Sequence, residues 1–168
     1  MAQDMRQLQK LLRRGMRVMP DKLPRIIEGE GLRFISKNFR DQGFNDSGLR
    51  KWKRRRKRDA SRALLVGENT GGDKLKNSFR AVRRSNQVRF ITYKPYAKIH
   101  NEGGRIKGTF NVRSHKRRNR KTGKIQTVSS HKRTVDTEIP QRQFMGKSAY
   151  LDKQIKKKLT KELDKLFK

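Results

Sequence analysis

Apolar positions near the start of the chain recur every three or four places, and two prolines interrupt the pattern. Met5, Leu8, Leu11, Leu12 and Met16 share one helical face, with Arg6, Lys10, Arg13 and Arg14 largely elsewhere. This spacing predicts a basic amphipathic helix over residues 1–17, suited to a core or to a partner's groove. Pro20 and Pro24 punctuate the next start, with Asp21 as N-cap and Pro24 in the tolerated first turn. Leu23, Ile26, Ile27, Phe34, Ile35 and Phe39 then form one stripe, which predicts a central core helix over 22–40 ended by Gly43 and Gly48.

From Ser78 the period becomes two. Phe79, Ala81 and Arg83 alternate with Arg80, Val82 and Arg84, and after a Ser85–Asn86 turn Val88, Phe90 and Thr92 alternate with Arg89, Ile91 and Tyr93. That is the pattern of a β-hairpin. Residues 95–102 read as a short helical turn with Tyr96 and Ile99 pointing inward, and Gly103–Gly104 permit the backbone to reverse. A long excursion over 105–135 follows, with residues 118–124 as its turn. Within it, residues 112–117 (Val, Arg, Ser, His, Lys, Arg) recur as 128–133 (Val, Ser, Ser, His, Lys, Arg), so the two copies would lie side by side across an antiparallel hairpin. After Pro140, Arg142 and Phe144 lead into a last helix over 147–167, with Leu151, Ile155, Leu159, Leu163 and Leu166 on one face and lysines on the other.

Charge changes this picture most. Lys and Arg number 47 against 15 Asp and Glu, a formal net charge of +32 over 168 residues. Such a balance works against compaction and calls for an anionic partner, a neighbouring subunit, or both. The hydrophobic fraction is 31%, and adding 13 glycines still leaves it below the roughly 45–50% of globular domains, so the core is expected to be thin. The excursion holds eleven Lys and Arg and no acid, and Arg50–Arg58 holds eight basic residues of nine, interrupted by Trp52. Arg54, Arg55 and Arg56 in that run read either as a solvated face or as a phosphate-contacting patch with Trp52 as its aromatic anchor. On the excursion, Arg113, Lys116, Arg117, Arg118, Arg120, Lys121, Lys124, Lys132 and Arg133 are the residues expected to meet DNA or an acidic protein.

Little in the chain points to catalysis or to a cofactor. No cysteine is present, and the histidines are His100, His115 and His131, without the ligand company a zinc site needs. The acids are dispersed without a paired spacing for Mg²⁺, and Gly71–Gly72–Asp73–Lys74 lacks the phosphate-loop pattern. The longest apolar run is Ala63–Val66, far short of a membrane span.

The most specific signal is a pair of segments bracketing the basic excursion. Tyr93, Pro95, Tyr96, Ile99, His100, Gly103 and Gly104 precede it; Ile139, Pro140, Arg142 and Phe144 follow it. Upstream lie Asn38–Gly43, Trp52, and a stretch from Leu65 to Ser78 whose turn is longer than a Leu-x-x-Thr-Gly-x-Leu-x-x-Ser pattern. In this order, over roughly residues 22–167, the chain resembles the phage virion morphogenesis family of tail-completion proteins. The resemblance implies a structural, non-enzymatic virion protein that forms a six-fold ring at the head-proximal end of the tail. Its partners would be copies of itself, tail tube or terminator and connector proteins, and non-specific DNA in the channel. It would be assembled in the host cytoplasm and would need no membrane. Trp52, Tyr93, Tyr96, His100, Gly103, Gly104, Pro140, Arg142 and Phe144 would be its structural or interface residues. The fold expected is a single α+β domain over 1–168: N-terminal, central and C-terminal helices on a small antiparallel sheet, built from 78–93 and the base of the 105–135 arm, from which the basic hairpin projects. A different class, an RNA- or DNA-binding protein of ribosomal or nucleoid type, fits the charge equally and predicts tight, salt-sensitive binding by a lone chain.

Overall fold

The computed structural model describes residues 2–54, 63–65, 74–84 and 87–165, with side chains described from residue 9 onward except those of 11 and 12. Arg55, Arg56, Leu166, the Ser85–Asn86 turn, the stretch 66–73 and the side chains of Met5, Leu8, Leu11 and Leu12 therefore lie outside the described set.

One helix, α1 (Ala2–Asp41), replaces the two expected, with Pro20 and Pro24 inside it. Asp21 is accordingly a mid-helix residue and not a cap. Each proline removes one backbone donor. Pro20 lies on an exposed stretch and Pro24 is half-buried, so water can reach the carbonyls they leave unpaired. The helix ends one residue earlier than the glycines suggested: Gln42 takes the left-handed conformation, φ 52°. Its amide secures that turn by donating to the Phe39 carbonyl at 2.6 Å and accepting from Leu64 N–H. A hairpin absent from the sequence reading follows, β1 (Gly43–Asn45) with β2 (Leu49–Lys51). At buried Gly43 a Cβ would lie 2.7 Å from the Arg50 carbonyl oxygen, so only glycine fits there.

The core gathers on the last turns of α1. Ile35, Phe39, Trp52, Leu64, Leu75, Ala97 and Phe144 are buried together, with Leu65, Phe79, Phe90 and Met145 packed against them. β3 (Arg80–Arg84) pairs with β4 (Gln87–Ile91), setting Ala81 opposite Phe90 and Arg83 opposite Val88. Arg83 Nε reaches Glu28 on α1 at 2.9 Å, which ties this hairpin to the helix. A short helix, α2 (Ala97–Glu102), precedes β5 (Gly104–Val112); β6 (His115–Arg118), β7 (Ile125–Val128) and β8 (His131–Ile139) lead to α3 (Ala149–Asp164). The antiparallel strands do not merge into one sheet. They form separate two-stranded ladders: β1–β2, β3–β4, β5–β8 and β6–β7. The architecture is α+β, with three helices and small antiparallel sheets.

The final helix starts later than expected. Gly146 (φ 152°) breaks the chain, Ser148 Oγ accepts Leu151 N–H as the N-cap, and Arg142 and Phe144 remain in the irregular segment before it. Leu151, Ile155, Leu159 and Leu163 are only half-buried, because α3 lies along α1 as an outer layer. Lys22 Nζ and Glu162 Oε2, 2.7 Å apart, link the two helices.

One close approach fixes where the β3–β4 hairpin sits. A Cβ on Gly31 would lie 2.1 Å from Phe90 Cζ, so the ring lies against bare helix backbone. Alanine gains about 1 kcal/mol of helix propensity over glycine, but overpacking costs about 1–3 kcal/mol. Gly31→Ala is expected to be net destabilising in urea denaturation, and a second change, Phe90→Leu, should recover part of the loss.

Candidate functional site

The two segments that bracket the basic arm meet at its root. Arg142 N–H donates to the His100 carbonyl at 2.8 Å, and Asn101 Oδ1 accepts from both Phe144 N–H (3.0 Å) and Met145 N–H (2.9 Å). Gly103, at φ 76°, lies so close to the second segment that a Cβ would stand 3.0 Å from Gln141 N. Gly104 is at φ 146°, and a Cβ there would press on Ile99. The glycine pair thus serves both the reversal and the close contact.

Beneath this root lies an aromatic cluster. The Phe144 ring stacks on Phe39 at 5.3 Å and meets Phe79 edge-on at 5.3 Å, while Trp52 meets Phe39 edge-on at 5.4 Å. Trp52 is buried and its Nε1–H donates to the Gln143 carbonyl at 2.7 Å, so it anchors the basic run to the root and is not available to stack on a base. Arg142 is buried as well, and its Nε donates to the Lys53 carbonyl at 3.2 Å. Arg54 is exposed at the edge of the described residues, beyond the same anchor.

The tyrosines depart from expectation. Tyr96 is 40% exposed, contrary to the inward orientation expected of it, because it sits at the N-terminus of α2 with its ring edge-on to His100 at 6.0 Å. Tyr93 is exposed beneath the Arg80 guanidinium, 5.5 Å from its ring centre. Pro140 and His100 are half-buried.

His100 is the titratable group of the root. Burial, assisted by the positive charge of Arg142, pushes its imidazole below the ordinary histidine value of 6.5, and its Nδ1 is buried with no hydrogen-bond partner among the described residues. Since the folded value lies below the unfolded one, the unfolded chain takes up a proton first as pH falls through 6.5, and stability is lost below that point. Thermal melts between about pH 8 and pH 5 should show this loss. His100→Leu should flatten the acid-side slope; an unchanged slope would place the titration elsewhere.

From this root β5 pairs with β8 from Gly104↔Ile139 to Val112↔His131, and β6 pairs with β7 from His115↔Val128 to Arg118↔Ile125. Arg113, Lys116, Arg117, Arg118, Arg120, Lys121, Lys124, Lys132 and Arg133 are all exposed along these strands and their turn. Asn119 organises the tip: its Oδ1 accepts Lys121 and Thr122 N–H, and Gly123 at φ 70° closes the turn. Near the root the charges are compensated, Arg105 making two bonds to Asp136 at 2.6 and 2.7 Å. Further out no acid is present. The strands also carry apolar side chains in the open, Phe110 at 52% and Ile125 at 71% exposure.

Asn38, Asn45, Gln42 and Asn101 escaped the sequence reading as polar organisers of the root. Asn38 sits inside the apolar stripe between Ile35 and Phe39, and an amide at such a place is the signal that points to it. Among the described residues no group of three His, Asp or Glu side chains is placed to hold a metal ion, and no helix is long and apolar enough to cross a membrane.

A model of the phage virion morphogenesis family matches residues 4–164. The chain belongs to this family. Membership makes it a structural protein of phage virion assembly, and the bracketing segments, the Trp52 anchor and the aromatic cluster all fall inside the matched span. No curated protein and no solved structure matches the chain.

Proposed function

We propose that this virion morphogenesis protein completes the phage tail, closing into a six-fold ring at its head-proximal end, around the DNA passage, so that tail and head can join. Membership of the virion morphogenesis family carries the reading. The thin core and the apolar side chains left in solvent support the ring. Met16 on α1 is 69% exposed, and Val82, Ile91, Phe110 and Ile125 are exposed on three different ladders, where neighbouring copies would cover them. Tail tube or terminator and connector proteins would be the adjoining partners. The basic arm would serve contact with an anionic partner, since its charges otherwise repel one another at a cost to folding. The role is mechanical, at the head–tail interface or tail end, with no reaction catalysed and no cofactor.

Electron microscopy of purified particles and native mass measurement of the isolated protein test the ring. A closed oligomer of about six copies is expected for a tail ring of this symmetry. A strictly monomeric chain within the particle would remove the proposal.

A further inference from the structure

The β5–β8 ladder at the base of the arm has two unlike faces. Residues opposite each other in an antiparallel ladder share a face, and the face alternates along each strand. The register from Gly104↔Ile139 to Val112↔His131 therefore sets Ile106, Gly108, Phe110 and Val112 on one face with Val135 and Ile139. The opposite face is polar: Arg105 bonds Asp136 across the strands at 2.6 Å, and the Thr109 and Thr134 hydroxyls stand 3.4 Å apart. A Cβ on Gly108 would lie 3.4 Å from the Phe110 ring, so that ring lies back over the glycine and widens the apolar face. Ile106 is 37% and Phe110 52% exposed. Two strands of nine residues give this face about 30 Å by about 10 Å, on the order of 300 Å², a size at which an exposed apolar patch marks an interaction site.

A second apolar surface is bare on the first half of α1. Met5, Leu8, Leu12, Met16, Met19 and Leu23 recur at helical spacing, while Arg6, Lys10, Arg13 and Arg17 fall outside that stripe. Met16 is 69% and Leu23 37% exposed. The core gathers on the other end of the helix, around Ile35 and Phe39. Residues 5–23 span about 28 Å at 1.5 Å per residue, the length of the ribbon's apolar face.

Among the surfaces a neighbouring copy offers, this helix half fits the ribbon best. Two arms set face to face would bring together eleven cations from each. The outward face of β3–β4 is only five residues long and carries Arg80, Arg84 and Arg89, against the Arg133 and His131 that share the ribbon's apolar face. A helix laid stripe-down on the ribbon leaves its cations and the ribbon's polar face on opposite outer sides, in water and salt. Helix and ribbon are different surfaces of one chain, so the contact runs head to tail, as a closed cyclic ring requires.

We propose that the apolar face of the β5–β8 ribbon in one copy is covered by the first half of α1, residues 5–23, of the next copy. This deepens the ring reading and rests on it.

The test uses the full-length protein, which has no cysteine, so that introduced thiols report alone. The double variants Met16→Cys/Phe110→Cys and Met16→Cys/Ile106→Cys are assembled and treated with a flexible bis-maleimide. At least one should give a denaturing-gel ladder rising from two joined chains to the whole ring, and the better of the two reports the direction of the helix. The three single-cysteine variants should remain single chains. By native mass, Phe110→Asp and Met16→Asp should each weaken assembly at least about tenfold, since an unpaired carboxylate is costly to bury. Thr109→Asp, next to Phe110 but on the polar face, should stay within about twofold of the parent. Circular dichroism confirms that each variant is folded, and Phe110→Leu, which keeps the face apolar, should still assemble.

A closed ring in which neither double variant joins chains overturns this proposal alone. So do rings joined by a single-cysteine variant, which would pair arm with arm or helix with helix, and a double variant that reacts only within one chain. Thr109→Asp as damaging as Phe110→Asp, or Phe110→Asp assembling like the parent, also overturns it. A parent that forms no closed oligomer removes the ring reading and this proposal together.

Discussion

Phe144→Ala is expected to cost about 3–5 kcal/mol, the range for deleting a buried phenylalanine ring. Phe144 is 2% exposed and touches Phe39 and Phe79, so its removal opens a cavity bounded by α1, the start of the β3–β4 hairpin and the arm root together. Those elements have few other apolar residues to close the gap. A domain of ordinary stability, about 5–15 kcal/mol, would lose a third or more of it. Urea denaturation followed by circular dichroism measures the effect, with Phe110→Ala as the comparison. Phe110 lies half in solvent on the arm, and its change should stay within about 0.5 kcal/mol. Equal losses at the two positions would mean that Phe144 is not the keystone of the root.

What the sequence reveals and what it hides divides along sequence separation. The stripe through Phe34, Ile35 and Phe39, the period-two segments at 80–84 and 87–91, and the side-by-side repeat at 112–133 all rest on local spacing, and the observed elements follow it. Trp52 and Phe144 are buried packing residues. The misread features depend on what a residue meets from far away. Prolines 20 and 24 look like a helix start, yet the helix runs through them along a face that water can reach. Gly43 looks like the helix terminator, but its smallness is needed against the Arg50 carbonyl, and Gln42 makes the turn because Leu64 satisfies its side chain. Tyr96 looks apolar and inward, but its place at a helix start leaves the ring at the surface. Neither ladder edge nor the separation of the strands into four pairs has a signature in spacing alone.

Asn38→Leu should cost about 3 kcal/mol, although the two side chains have similar volume and the new one is apolar in a buried site. Asn38 is fully buried at 0% exposure. Its Nδ2–H donates to the Phe144 carbonyl at 3.1 Å, and its Oδ1 accepts from Asn45 N–H at 2.9 Å and Asn45 Nδ2–H at 2.8 Å. The partners fix the orientation of the amide, because a carbonyl can only accept and a backbone N–H only donate. Leucine would strand the Phe144 carbonyl and the Asn45 N–H, each a buried group worth about 1–3 kcal/mol when unpaired. The damage would spread, because the Asn45 carbonyl accepts from Ser148 Oγ at 2.8 Å, and Ser148 caps α3. Asn38→Asp provides the discriminating control. It keeps the acceptor for Asn45 but turns an ionised oxygen toward the Phe144 carbonyl, so burial and that repulsion raise its folded pKa above the ordinary aspartate value of about 3.9. The folded variant then holds a proton that the unfolded chain has released, and its stability falls as pH rises from about 4 through the folded pKa. Below that window the protonated carboxyl can donate to Phe144 again. Denaturation midpoints for Asn38→Asp should therefore improve on acidification relative to Asn38→Leu, and parallel pH profiles for the two variants would show that the Asn38–Phe144 bond does not hold the arm root to α1.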